Sequence, residues 1–188
     1  MTARAVFLDK DGTLVENVPM NVDPSRIRLA DGAAEALRRL REAGYRLAVV
    51  SNQAGVAHGR FPESALAGVE SRLAELLAEH DIRLDGFFYC PHDPAGAVEQ
   101  YRLACDCRKP APGLVYRAAA ALGVDVASSW MVGDILDDVE AGRRAGCRSI
   151  LLDSGGETEW VRGPAREPHF VARSFDEVAD YILRSEAA

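Results

Sequence analysis

The sequence predicts an α/β fold: a mostly parallel central sheet covered by helices on both faces. Three observations carry this reading. Short runs such as Ala5-Val6-Phe7-Leu8 are apolar without alternation, as strands buried on both faces are. Between them lie longer segments whose apolar residues recur at helical spacing. The two kinds alternate along the chain, the pattern of strand–helix–strand crossovers rather than hairpins.

Taken in order, the first strand covers 5–8. A helix over 32–43 places Ala33, Ala36, Leu37 and Leu40 on one face, and Gly44 stops it. A strand over 46–50 follows. Pro62 opens the next helix, where its fixed φ and missing N–H are tolerated. Val69, Leu73, Leu76 and Leu77 carry that helix to about Glu79. Strands over 86–89, 129–132 and 148–152 alternate with helices over 113–122 and 136–145, which Gly123 and Gly146 close. His169 precedes a further strand, and Ser174 with Glu177 forms a capping box for a last helix to about Leu183. The irregular stretch is 91–113. The polar segment 155–166, with three glycines and a proline, reads as a loop whose role is not legible. There is no repeat or linker, so one domain is expected over 1–188.

The composition is that of an ordinary globular protein, with 48% hydrophobic and 27% charged residues. A chain of 188 residues buries roughly 70% of its unfolded surface and needs no covalent staples. Its net charge of −7 argues against a nucleic-acid or anionic-membrane partner. The first residues reach Asp9 and Lys10 too soon for a signal-peptide core, and no apolar run approaches the ~20 residues of a membrane span. A soluble, cytoplasmic protein is expected. Of its 22 basic residues 20 are arginine, leaving only Lys10 and Lys109 as lysines. Arginine is the default cation here, so each lysine raises the question of a needed point charge.

In open α/β sheets ligands bind beyond the carboxyl ends of the strands. The unusual residues fall there: Asp9 and Asp11, Ser51, and Gly133-Asp134. Asp9 and Asp11 share one side if the strand continues through them. A solvated Asp-Gly turn would explain those two alone. A third carboxylate, Asp134, with Asp137 and Asp138 one turn on, favours a hard divalent cation instead. A carboxylate can also serve as a covalent nucleophile.

Cys90-x-His92 and Cys105-x-Cys107 are two ligand pairs separated by twelve residues, a Cys₃His set suited to tetrahedral Zn²⁺. In a chain without a secretion signal such a cluster reads as a metal site rather than disulfides. It would staple a loop that leads directly into Arg108-Lys109. Cys147 has no partner motif and reads as a small buried apolar residue.

Asp9-x-Asp11-Gly12-Thr13, Ser51-Asn52, Lys109 and Gly133-Asp134-x-x-Asp137-Asp138 resemble, in order, the four motifs of the haloacid-dehalogenase-like phosphatases. They span 9–138, most of the chain. The resemblance implies a Rossmann-like three-layer sandwich, capless because the gaps after Asp11 and Ser51 are short, and an aspartyl-phosphate mechanism. Asp9 is then the nucleophile and Asp11 the general acid and base. Ser51 and Lys109 grip the phosphoryl group. Asp9, Asp11 through its main-chain carbonyl, and Asp134 hold Mg²⁺. The cysteine pattern leading into Arg108-Lys109-Pro110 resembles the zinc-containing subgroup that holds heptose-bisphosphate and histidinol-phosphate phosphatases, and the long loop favours the heptose branch. By that likeness, the 7-phosphate of D-glycero-D-manno-heptose 1,7-bisphosphate is the expected target, with histidinol phosphate or other small sugar phosphates as the alternative. Asn17, Val18, Pro19, Met20, Asn52, Gln53, Ala54 and Arg108 would line the substrate site, with Arg60 added. Ile135 and Ala54 depart from the heptose pattern. Structural Zn²⁺, a phosphorylated sugar as the only partner, and a monomer complete the expectations.

Other residues read as structural: His80 at a helix end, His169, Trp130 and Trp160 as packing, and Arg38-Arg39 and Arg143-Arg144 on solvated helix faces. His58 reads either as a substrate contact or as a solvated loop residue. Lys10 reads as a neighbour of the chemistry that arginine could replace.

Overall fold

The computed structural model describes residues 3–185. Six strands, β1 (Arg4–Leu8), β2 (Tyr45–Asn52), β3 (Gly86–Cys90), β4 (Trp130–Gly133), β5 (Arg148–Leu152) and β6 (Phe170–Ala172), form one sheet in the order β3-β2-β1-β4-β5-β6. Every pairing between them is parallel. Five helices cross over between strands or follow them: α1 (Ala33–Glu42), α2 (Leu66–Ala78), α3 (Gly113–Leu122), α4 (Leu136–Ala145) and α5 (Phe175–Arg184).

Side-chain alternation divides the core into two layers. In β1, Val6 and Leu8 face the cluster formed with α1, α2 and α5, which includes Leu37, Leu40, Leu73 and Ile182. Ala5 and Phe7 face the other, formed with α3 and α4 and including Leu114, Val115, Ala118 and Ala141. Four of the five helices have only ten residues, too short to persist alone in water. Their stability comes from buried faces, at about 1.5–3 kcal/mol for each fully buried Leu, Val or Ile.

Most expected elements stand where the periodicity places them, with α4 and β5 matching to the residue. Three differ for physical reasons. β2 runs on through Ser51 and Asn52, because the parallel ladder to Tyr89 and Cys90 carries these polar residues into the strand. Pro62 is not the first residue of a helix. It precedes a 3₁₀ turn over Glu63–Ala65, and α2 starts only at Leu66. Ser129 stays outside β4, because its hydroxyl accepts from the Ala5 amide at 2.9 Å and donates to the Asp125 carbonyl at 2.6 Å. Trp130 packs as expected, edge-on to His169 and Tyr181 and beneath the Arg148 guanidinium. Trp160, read from sequence as packing, instead stands 46% exposed. Among the described residues no helix is long and apolar enough to cross a membrane.

Gly142 lies inside α4, where alanine would ordinarily gain about 1 kcal/mol. Here an added Cβ would meet Met131 Cβ at 2.4 Å and Ser149 Oγ at 2.7 Å. Overpacking of this kind costs about 1–3 kcal/mol. Gly142→Ala is therefore expected to lower the urea midpoint. A raised midpoint would show that α4 can shift off the sheet at little cost.

Candidate active site

The chain leaves the sheet at Asp9 after β1 and at Asp134 after β4. These neighbouring strands are where connections diverge to opposite sides of the sheet, the crevice where such sheets bind ligands. The Asp9 amide donates to the Val132 carbonyl at 2.9 Å. The chain then turns through Gly12, whose φ is +82°. β1 therefore does not continue through Asp11, and the two aspartates do not share a strand face. Asp9 points inward, and Asp11 turns to Lys10 and to the Gln53 amide at 3.2 Å.

The inward carboxylates gather around one cation. Oxygens of Asp9, Asp134 and Asp138 lie within 4.8 Å of one another. Lys109 Nζ sits 2.6 Å from Asp9 Oδ1 and 2.5 Å from Asp138 Oδ1, and donates to the Val50 carbonyl at 2.9 Å. Burial opposes the charge on Lys109, but Asp138 and Asp9 outweigh it and hold the ammonium above its usual range. Burial pushes the Asp138 carboxyl up, against the pull of Lys109. Burial and the Asp9 charge push Asp134 up to about 6. Burial, only partly offset by Lys10, also raises Asp11. Three carboxylates thus share one ammonium, and among the described residues Asp134 has only the Thr13 hydroxyl, at 3.1 Å, as a side-chain donor. Such a set suits a further hard cation, which Asp9 and Asp134 could hold.

Glycines let the backbone close on Asp134. A Cβ at Gly12 would lie 2.3 Å from Asp134 Oδ2, and one at Gly156 only 1.9 Å away. Gly156 belongs to the segment to which sequence reasoning assigned no role. Just before that segment Ser154 donates to the Gly12 carbonyl at 3.1 Å, and within it Glu157 Oε2 accepts from the Leu136 amide at 2.7 Å. Ile135, at the N-cap of α4, has no side-chain acceptor, so Glu157 caps that helix from a distant loop. The only local hint of it was a helix start lacking Ser, Thr, Asp or Asn. Asp138 was visible within its motif but had been given no role.

The loop after β2 has a positioning function. Asn52 exchanges two 3.0 Å hydrogen bonds with the backbone of Lys109, donating to its carbonyl and accepting from its amide. Gln53 Nε2 donates to Ser51 Oγ at 2.8 Å and so links Ser51 to Asp11. Both side chains, expected to line the substrate site, also brace catalytic candidates. Arg108 and the half-buried Ala54 border this region. Asn17, Pro19 and Met20 are exposed and Val18 half-buried, in a turn beyond the Asp11–Val15 bridge. Arg60 lines a separate cleft of about 380 Å³ with Phe61, Gln100 and Tyr101. Lys10 is 2% exposed and pairs with Asp11, so the arginine that its sequence position would allow has to be accommodated in a buried site.

The cysteine cluster assembles as expected. Cys107 Sγ lies 3.0 Å from Cys90 Sγ and 3.2 Å from Cys105 Sγ, and Cys90 to Cys105 is 3.5 Å. His92 Nδ1 lies 3.6 Å and 3.4 Å from Cys90 and Cys107. Ligand atoms of a tetrahedral zinc site with ~2.3 Å bonds are about 3.7 Å apart, so this compact set could hold the ion through His92 Nδ1. Cys147 is buried among apolar residues, and burial pushes its thiol up to about 12.

A family profile described as HAD-hydrolase-like matches residues 106–178. The D-glycero-beta-D-manno-heptose-1,7-bisphosphate 7-phosphatase of Salmonella typhi is 37% identical over 183 residues, covering 97% of this chain and 91% of its own. The chain belongs to the haloacid-dehalogenase-like phosphatases. The enzyme of the same name from Haemophilus influenzae is 36% identical over 97% of this chain and 92% of its own. Among solved structures, a HAD-like protein of Mesorhizobium loti superimposes with a TM-score of 0.85 at 33% identity, over 99% of this chain and 87% of its own. D,D-heptose 1,7-bisphosphate phosphatase of B. bronchiseptica, complexed with magnesium and phosphate, gives 0.76 at 29% identity, over 97% and 99%. As a haloacid-dehalogenase-like phosphatase the chain is a phosphoric monoester hydrolase with the expected parallel sheet.

Gly156→Ala is expected to displace Asp134 and to cost about 1–3 kcal/mol in chemical denaturation. Gly163→Ala, whose Cβ would meet only the Arg166 side chain at 3.8 Å, should cost far less. Equal effects would mean that the 154–160 segment does not press on the carboxylate.

Proposed function

We propose that this chain is a Mg²⁺-dependent phosphatase that removes the 7-phosphate of D-glycero-D-manno-heptose 1,7-bisphosphate through a phosphorylated Asp9. The observation that carries the chemistry is Lys109, buried between Asp9 and Asp138 where β1 and β4 end. It places positive charge beside a carboxylate that must approach an anionic phosphate. The choice of substrate draws on the near-full-length likeness to enzymes named for it.

Asp9, Asp134 and the main-chain carbonyl of Asp11 would hold Mg²⁺. When bound, the ion neutralises phosphoryl charge and fixes the phosphate in line with the nucleophile. An Asp9 carboxylate oxygen attacks phosphorus as the bond to the sugar oxygen breaks. Asp11, whose raised pKa favours carrying a proton, gives that proton to the leaving oxygen. The Asp11 carboxylate then takes a proton from water as that water attacks phosphorus. Phosphate leaves and the Asp9 carboxylate is restored. Ser51 and Lys109 bind the phosphoryl oxygens throughout. Zn²⁺ on Cys90, His92, Cys105 and Cys107 would hold the loop that delivers Arg108 and Lys109. The protein would act in the cytoplasm as a single domain and a monomer.

Phosphate release from heptose bisphosphate, histidinol phosphate and fructose 1,6-bisphosphate tests the reading. The heptose substrate should give the highest kcat/KM. Asp9→Asn should lose about 10³-fold or more. Lys109→Arg should lose at least about tenfold, because a forked guanidinium does not fit a site that is 3% exposed. A histidinol-phosphate preference would move the chain to the other branch, and an active Asp9→Asn would remove the covalent mechanism.

The charge balance predicts a pH effect. Asp134 has a folded pKa of about 6 against an ordinary 3.8, so ionising it costs stability above that range, and protonation relieves the cost as pH falls through 6. Mg²⁺ relieves the same charge. It should therefore raise the Tm more at pH 7.5 than at pH 5, whereas equal shifts would contradict a metal site at Asp134.

A further inference from the structure

His58 and Asp93 lie outside the residues given a role above, yet they meet at the edge of the site. Asp93 follows the candidate zinc ligand His92, and its side chain is 15% exposed. Its Oδ1 accepts from the Ala95 amide at 2.9 Å. Its Oδ2 lies 3.2 Å from His58 Nε2 and 3.1 Å from Arg108 Nη2. Arg108 Nη1 also donates to the His92 carbonyl at 3.2 Å. Both terminal nitrogens of the guanidinium are thus tethered to residues 92 and 93, one position before Lys109. The remaining N–H groups of Arg108, whose side chain is 32% exposed, are left for a ligand.

The loops that meet here are also joined through their backbones. The Val98 amide donates to the Ala57 carbonyl at 2.8 Å. Gly96 packs so closely that a Cβ there would lie 2.7 Å from that carbonyl oxygen. One carboxylate therefore ties together the loop after Ser51, the cysteine loop and the lysine segment.

We propose that Asp93 is a positioning residue that holds Arg108 at the mouth of the site, so that the cysteine loop sets selectivity for the part of the substrate remote from the transferred phosphate. The proposal rests on the phosphatase reading, through Arg108 as a substrate contact. An arginine has many rotamers, and a substrate that must order a free one binds more weakly. A pre-oriented fork favours a second phosphate or sugar hydroxyls, and gives little to an ester that lacks them.

The test compares KM and kcat on heptose bisphosphate and on p-nitrophenyl phosphate. Asp93→Asn should raise KM for the bisphosphate at least ten times more than for p-nitrophenyl phosphate, with kcat on the bisphosphate within threefold of wild type. Arg108→Ala should shift the same ratio. Adding Asp93→Asn to Arg108→Ala should shift it no further, since a positioning residue acts only through its client. Metal content and Tm of each variant separate this from a collapsed loop. If Asp93→Asn loses its metal, Asp93→Glu, which keeps the charge, is read instead and should give a ratio between wild type and Arg108→Ala.

Three results would overturn the proposal: equal losses on both substrates, a lowered KM for the bisphosphate, or a full additional effect of Asp93→Asn when Arg108 is absent. If the wild type prefers another sugar bisphosphate, the substrate reading fails, and the Asp93 ratio is measured on that ester and decides the proposal independently. A wild type inactive on every ester would overturn both.

Discussion

A lysine with almost no solvent contact must find anions, and Lys109 finds two, Asp9 at 2.6 Å and Asp138 at 2.5 Å. Removing one partner of such a buried set leaves an uncompensated charge worth several kcal/mol. Much of the surrounding architecture keeps that pairing in place. β1 and β4 stop where Asp9 and Asp134 can turn inward, α4 presents Asp138 in its first turn, and Asn52 clasps the Lys109 backbone on both sides. The same pairing leaves the site one cation short of its carboxylates. This imbalance is the physical reason for expecting a divalent ion.

Two loops without strand or α-helix hold this arrangement. One, 154–160, presses Gly156 on Asp134 and supplies the Glu157 cap to α4. The other, the cysteine loop, runs from β3 into Arg108-Lys109 and is anchored through Asp93, and through Tyr89 and Tyr101, which donate to Glu63 at 3.0 and 2.6 Å. One loop fixes the carboxylates and the other fixes the cations. The catalytic geometry is set by loops packed against a rigid sheet rather than by the strands alone.

The sheet and its helices were legible because apolar periodicity reports burial directly, as with Val6 and Leu8 against Ala5 and Phe7. Asp9, Asp134, Lys109 and the cysteine cluster were legible because carboxylates at strand ends, a rare lysine and close Cys/His pairs are chemically unusual. The 154–160 segment was not, because its contacts span more than a hundred residues to Gly12 and twenty-one to Leu136. Asn52 and Gln53 were seen as site residues, but what they touch depends on tertiary geometry that spacing does not encode. Spacing leaves open whether the strand continues through Asp11, which the turn at Gly12 decides, and the burial of Lys10 leaves no trace in a charged motif.

The most direct test of the account traps the nucleophile. Enzyme mixed with Mg²⁺ and heptose bisphosphate is treated with borohydride, which reduces an aspartyl phosphate to homoserine, and the peptides are read by mass spectrometry. The account predicts homoserine at position 9 alone, dependent on both metal and substrate. Reduction at another carboxylate, or unmodified Asp9 in an enzyme whose turnover borohydride has stopped, would contradict it.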